Sequence, residues 1–181
     1  MYTCIERWNE RMAYDPQRGG RGYGQQAGGY NNRSYGQQGG WNNRANVTND
    51  QPEPVKPKKL PVNYVDEAER VMGELKAERG RFEITTSKIR AIHALVADIY
   101  NAENLRSEAE LLEESQLKLM RLWVRIVYDA GREQAVMTFV KKTQLLEYIK
   151  GIGKSRAEMI RFAHYMEALV AYHRYYGGRE T

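Results

Sequence analysis

Four cations stand on one flank of a helical stretch: Lys118, Arg121, Arg125 and Arg132. At about 100° per residue they fall within a fan of roughly 60°. At about 1.5 Å per residue the row runs roughly 21 Å. Leu119, Leu122, Trp123 and Ile126 occupy the opposite side, so the apolar flank can hold a fold while the basic flank stays open. Such a row suits a polyanion backbone, whose phosphates lie along a line and are met by Lys and Arg without any reading of bases. The ordinary alternative is a solvated helix face, with Glu113 or Glu114 pairing with Lys118. Spacing alone leaves the two readings open.

Catalytic and metal chemistry find little to build on. His164 and His173 share a helical stretch, but nine residues at about 100° each put them on opposite faces. His93 has no carboxylate or second histidine one turn away, which makes it an ordinary structural or surface histidine. A single cysteine, Cys4, excludes a disulfide framework and any CxxC site and points to a reducing compartment. YIKGIGKS at 148–155 ends like a phosphate loop, yet Tyr148 stands where that loop needs glycine and no strand precedes it. No cofactor and no metal are expected. LLEYIKGIGKSRAEMI also resembles a helix-hairpin-helix, whose Gly-hydrophobic-Gly turn brings backbone N–H groups to a phosphate. Gly151, Ile152, Gly153, Ala157 and Ile160 fit that spacing, whereas Lys150 stands where proline is usual. A glycine C-cap followed by a capped helix explains the same residues without a ligand.

The elements that position these groups follow from composition. All five prolines and 9 of the 16 glycines lie in residues 1–61, which carry 9 basic and 5 acidic side chains; residues 62–181 carry 19 and 18. A domain boundary is expected at Pro61. Between Asp15 and Pro61 the only large aliphatic residues are Val47, Val55 and Leu60, too few to offset the entropy of ordering, so a disordered tail is expected. YGQQAGGYNNRS at 23–34 is repeated as YGQQGGWNNRA at 35–45, after RGGRG at 18–22. Aromatics interleaved with arginines suit loose contact with single-stranded RNA or self-association, and a solubilising linker is the plainer reading. Residues 1–14 could form a short amphipathic helix, and PEPVKPKKLP at 52–61 reads as an extended basic spacer.

The remaining 120 residues lack proline and show helical spacing throughout, which predicts an all-α, single compact bundle of about five helices. These are expected near 63–79, 86–102, 108–130, 133–150 and 156–176. Asn63, Thr85-Thr86, Ser107 with Glu110, and Ser155 with Glu158 supply the N-terminal signals. The last helix is apolar almost all round, which puts it in the middle. No run of about 18 apolar residues and no secretory signal are present, so a soluble, cytoplasmic protein without a membrane partner is expected.

TTSKIR at 85–90, VRIVYDAGRE at 124–133, FVKKT at 139–143 and MEALVAYHRYY at 166–176 resemble, in the same order, the small helical subunit of type III-A CRISPR effector complexes. The Gly-, Gln- and Arg-rich tail departs from that family's short form. The resemblance implies a non-catalytic protein in antiviral defence, present in several copies stacked head to tail inside a ribonucleoprotein. Its implied partners are guide RNA, target RNA, further copies of itself and other subunits, including the large polymerase-like one. By matching motif it marks Lys88, Arg125, Arg132, Lys141 and Lys142 as RNA contacts, and helix geometry adds Arg121. Arg90 matches as well but could instead pair with a neighbouring helix. MEALVAYHRYY reads as core and stacking interface.

Overall fold

Helical spacing over the C-terminal two-thirds of the chain resolves into six helices in the computed structural model, which describes residues 54–180. Expectations for residues 1–53, including the tail and its repeats, lie outside the described residues. The helices are α1 (Tyr64–Arg79), α2 (Thr86–Glu103), α3 (Glu113–Arg132), α4 (Gln134–Thr143), α5 (Leu145–Ile152) and α6 (Arg156–Tyr175). No strand is formed among the described residues, and the fold class is all-α.

Local signals place most of the boundaries. Asp66 and Glu67 sit in the first turn of α1, where the helix dipole favours acids, and Gly80 ends the helix at φ 68°. Thr85 caps α2 by accepting the Lys88 N–H at 3.4 Å. Ile89, Ile92, Val96 and Ile99 form the buried stripe expected of α2. Ser155 caps α6 by accepting the Glu158 N–H at 3.4 Å. α6 packs against α1, α2 and α5 and buries Met159, Phe162, Tyr165, Met166 and Leu169, the central position its composition predicts.

Two boundaries differ from expectation. α3 begins at Glu113 rather than near 108, so Ser107 and Glu110 make no capping box. Residues 109–111 instead run beside the start of α6: the Arg156 N–H donates to the Ala109 carbonyl and the Leu111 N–H to the Lys154 carbonyl, each at 2.9 Å. Burial of Leu111 at 4% exposure holds this extended path. The capping role passes to Glu103, a fully buried carboxylate that accepts the Leu112 N–H at 2.9 Å and the Arg106 guanidinium at 2.6 Å. The expected fourth helix is two, because Gln144 adopts the left-handed region at φ 52°, ψ 36°. The carbonyl of Thr143 that the break frees accepts the buried Tyr165 hydroxyl at 3.1 Å. The Thr143 hydroxyl donates to the Phe139 carbonyl at 2.7 Å.

Both ends of the described chain are tied down. Residues 54–60 form an extended strap rather than a free spacer: Leu60 is buried, the Lys58 N–H donates to the Glu147 carbonyl at 3.0 Å, and Lys150 Nζ donates to the Val55 carbonyl at 2.9 Å. At the other end the Arg179 carbonyl accepts the Thr86 N–H at 2.7 Å and the Glu180 carbonyl accepts the Ser87 N–H at 3.2 Å, satisfying donors that the first turn of α2 leaves open. His173, fully buried beneath this clasp, lies 3.0 Å from the Ile84 carbonyl through Nε2 and 3.1 Å from the Thr86 hydroxyl through Nδ1.

Candidate nucleic-acid interface

α3 is amphipathic in the way its spacing requires. Leu119, Leu122, Trp123 and Ile126 are buried against α2, α4 and α5. That packing turns the opposite flank outward, and Arg121, Arg125 and Arg132 all stand exposed on it. Arg121 has no partner among the described residues. Arg125 pairs with Asp129 one turn on at 2.8 Å while its side chain stays 60% exposed. The hydrogen bond to Asp129, then its charge, raises the Arg125 pKa further above its ordinary value. Arg132 ends the helix, where the dipole favours a cation. It donates to the Tyr128 hydroxyl at 3.2 Å and lies 5.4 Å above that ring. These three arginines span about 16 Å of helix.

The fourth member of the expected stripe is committed elsewhere. Lys118 is half-buried and held by Asp98 of α2 at 3.0 Å and Glu114 at 3.1 Å; the hydrogen bond to Asp98 leads in raising its pKa. The Glu114 pairing was legible from an i, i+4 spacing, and the Asp98 contact needs the tertiary fold.

The motif-derived residues divide. Lys88 pairs with Glu133 at 2.5 Å, which sets it beside the C-terminal end of α3 near Arg132. Lys142 pairs with Glu78 of α1, whose hydrogen bond raises its pKa, so its charge is committed to another helix. Lys141 is exposed, has no partner among the described residues, and borders a groove that Val55, Lys56, Val127, Met137 and Val140 also line. Arg90 does form an ion pair, with Glu180 of the C-terminal clasp at 3.2 Å rather than with another helix. All six candidate residues are on the surface; Arg121, Arg125, Arg132 and Lys88 share one region, and Lys141 and Lys142 point in different directions.

Sequence reasoning missed the apolar part of this flank. Val124 is 60% exposed and Tyr128 56%, and on the helix wheel they lie beside the arginine fan, about 60° and 20° outside its edge. The signal was present: Leu117, Val124 and Tyr128 fall together on the polar side of the helix wheel and, with Val127, stand exposed. Together they give guanidinium groups for phosphates and an aromatic face for sugar or base.

The helix-hairpin-helix alternative is closed by the chain itself. A side chain on Gly151 would meet the Lys58 carbonyl oxygen at 1.8 Å, so this glycine exists to let the strap pass. The Arg156 N–H, which would face a phosphate, is taken by Ala109. Lys150 is likewise occupied, lying 5.4 Å above the Trp123 ring while it holds Val55. The histidines are also apart: His164 sits between Tyr64 and Tyr100, and His173 lies under the clasp.

These features define a small all-helical protein that presents arginines along one helix flank. Among the described residues no group of His, Cys, Asp or Glu could hold a metal ion, and no helix is long and apolar enough to cross a membrane. Residues 59–179 match the family described as Csm2 Type III-A, and the chain belongs to that family, the small subunit of type III-A CRISPR complexes. It is 42% identical over 113 residues to the CRISPR system Cms protein Csm2 of Mycobacterium tuberculosis strain H37Rv, covering 62% of this chain and 90% of that one. To the protein of the same name from Streptococcus thermophilus it is 43% identical over 119 residues, 65% of this chain and 94% of the other. The Enterococcus italicus relative is 35% identical over 120 residues, 62% and 83% respectively. Membership makes the other subunits of the Csm effector complex its partners.

Proposed function

We propose that this chain is a non-catalytic scaffold subunit that helps hold guide and target RNA in a type III-A ribonucleoprotein during antiviral defence in the cytoplasm. The helical body does this. Copies stack along the complex, and the outward flank of α3 grips the RNA backbone. The observation that carries the reading is the row of Arg121, Arg125 and Arg132 on a helix face that the core leaves uncovered. Among the described residues Arg121 and Arg132 make no ion pair with a carboxylate and Arg125 keeps an exposed guanidinium beside Asp129, whereas Lys88, Lys118 and Lys142 are held by acids. Base pairing between guide and target supplies sequence selection, and the arginines accept any sequence because they meet phosphates. Individual copies bind weakly, and stacking multiplies their grip.

Lys88 extends the same surface at its end, Lys141 lies apart at the strap groove, and Lys142 joins only if Glu78 releases it. The test is charge reversal of Arg121, Arg125 and Arg132 to Glu in the assembled complex. Target-RNA affinity falls by tenfold or more, while the complex still assembles and the melting temperature of the variant subunit is retained. Unchanged target affinity in a complex that carries the triple variant refutes the reading.

A further inference from the structure

We propose that Glu69, Tyr172, Tyr175 and Tyr176 form a docking cradle for an arginine side chain presented by a different protein subunit of the effector complex. The four residues meet where α1 and α6 run side by side. Tyr64 lies beside His164, with ring centroids 6.1 Å apart, and Lys76 Nζ lies 5.7 Å from the Tyr176 centroid, so the two helices run in the same direction. Glu69, Ala171, Tyr172 and Tyr175 line an open pocket of about 410 Å³. The Tyr172 and Tyr176 rings stack at 6.0 Å, and Tyr175, 81% exposed, lies 5.4 Å from Tyr176. Val65, one turn before Glu69, and Val62 stand exposed on the same edge.

Glu69 makes no ion pair among the described residues. Its neighbour Arg70 is held by Glu67 and Glu74, and Lys76 faces a ring instead of the carboxylate. Tyr172 and Tyr176 each donate a hydroxyl to one Glu69 oxygen at 3.3 Å, longer than an ordinary O–H···O bond. Burial, then the Glu69 charge, holds both phenols above their ordinary pKa, so they stay donors. A carboxylate has about four lone-pair positions, so two remain open.

A negative charge at the centre disfavours phosphate, which sets this surface apart from the α3 flank. What fits is a planar cation. A guanidinium can bridge both Glu69 oxygens and lie flat on a tyrosine ring, whereas an ammonium is a point charge without a face. Lys76 over Tyr176 shows that one of these rings already takes a cation.

The chain's own arginines argue for a donor on another protein. Among the described residues Arg81, Arg121, Arg132, Arg156 and Arg179 have no carboxylate partner. Arg121 and Arg132 belong to the α3 row, and the Glu103 and Glu108 carbonyls hold Arg156. Arg81 and Arg179 remain, and both lie at the end of the bundle that carries the cradle: Arg81 follows the end of α1, and the Arg179 carbonyl is clasped to Thr86 just beyond α6. Pairing like ends of two copies closes at a dimer, whereas the proposed stack of several copies needs unlike ends to meet. The inference rests on the function proposed above in this respect, and its test fails separately.

The test replaces Tyr175 with p-benzoyl-phenylalanine, irradiates the purified effector complex and maps the adducts by mass spectrometry. The expected adduct joins position 175 to a different subunit within a few residues of an arginine. E69R lowers its yield roughly tenfold while the subunit keeps its melting temperature. On the full chain alone, N-acetyl-argininamide shifts the ring NMR signals of Tyr172 and Tyr175 saturably, and N-acetyl-lysinamide binds about fivefold more weakly. Should E69R fail to fold, Y175S, which removes a ring the body leaves exposed, must weaken the arginine titration by itself. An adduct to a second copy of this chain, to RNA or to nothing overturns the proposal. So does an equal response to the two amides, or an arginine response that survives in E69Q. The charge-reversed α3 variant separates the two readings: if it keeps its target affinity while the adduct at position 175 still forms on another subunit, the RNA row falls and the cradle stands.

Discussion

Replacing Gly151 with Ala tests how the strap, α5 and the start of α6 fit together. The new methyl would lie 1.8 Å from the Lys58 carbonyl oxygen and 2.6 Å from its carbon. Both atoms are backbone, so no rotamer change relieves the contact, and the strap must lift. Lifting it breaks the Lys58–Glu147 hydrogen bond at about 1 kcal/mol and the Lys150–Val55 bond at about 1.5 kcal/mol. It also exposes Leu60, worth about 2 kcal/mol. Alanine is the better helix former by about 1 kcal/mol, which offsets part of the loss. The net expectation is a destabilisation of about 3.5 kcal/mol, or a fall in melting temperature of roughly 10–15 °C for a body of this size. Gly73 is the control. It sits within α1 with nothing within 4 Å of an added methyl, so G73A should stabilise by about 0.5–1 kcal/mol. Urea and thermal denaturation of both variants measure the difference. If G151A is neutral or stabilising like G73A, the strap is not seated as described and the account of this glycine is wrong.

Arg121 and Lys118 lie one turn apart on the same helix but differ in pairing, so R121Q should flatten the salt slope of RNA binding by about 0.7–0.9, whereas K118Q should leave it unchanged; salt titrations of the assembled complex decide. Acidification should destabilise the body in two steps. Burial, set against the bond to Ile84, holds His173 below its ordinary pKa of 6.5, so the unfolded chain binds a proton the native one refuses and stability falls as pH drops below about 6.5. Glu103 responds at lower pH: burial raises its pKa, but the hydrogen bonds from the Leu112 N–H and Arg106 and the Arg106 charge help to outweigh that and hold it below the usual carboxylate range. Its contribution is present above the unfolded carboxylate pKa and is lost as pH falls through the depressed native value; melting curves of H173Q and E103Q should each lose one of the two steps. S155A removes the α6 cap and should cost about 1 kcal/mol by urea denaturation, with S155G retaining most of it.

What the sequence made legible was local. The caps at Thr85 and Ser155, the buried stripe of α2 and the all-round apolar character of α6 depend on residues within a few positions of one another, and each stands as expected. The misplaced start of α3 shows the limit. Ser107 and Glu110 have capping-box spacing, but Leu111 gains more by burial beside α6 than the box would supply, and the capping carboxylate comes from Glu103 nine residues before Leu112. The break at Gln144 was equally hidden, since glutamine carries no turn signal and the freed carbonyl is rescued by Tyr165 from another helix. In the site, helix spacing grouped Arg121, Arg125 and Arg132 correctly on one exposed flank. It could not reveal that Asp98 claims Lys118 or that Glu78 claims Lys142, because both acids come from other helices.

The two tethered ends carry a consequence for how the chain acquires its shape. Strap and clasp each join segments about 90 positions apart, Lys58 to Glu147 and Thr86 to Arg179. Such distant closures are slow to form, because much of the intervening polypeptide must already be ordered before they reward it. Terminal segments usually fray first. Here the backbone amides of Lys58, Thr86 and Ser87 should exchange with solvent as slowly as those of the interior helices, so that the body opens as one cooperative unit instead of peeling from its extremities.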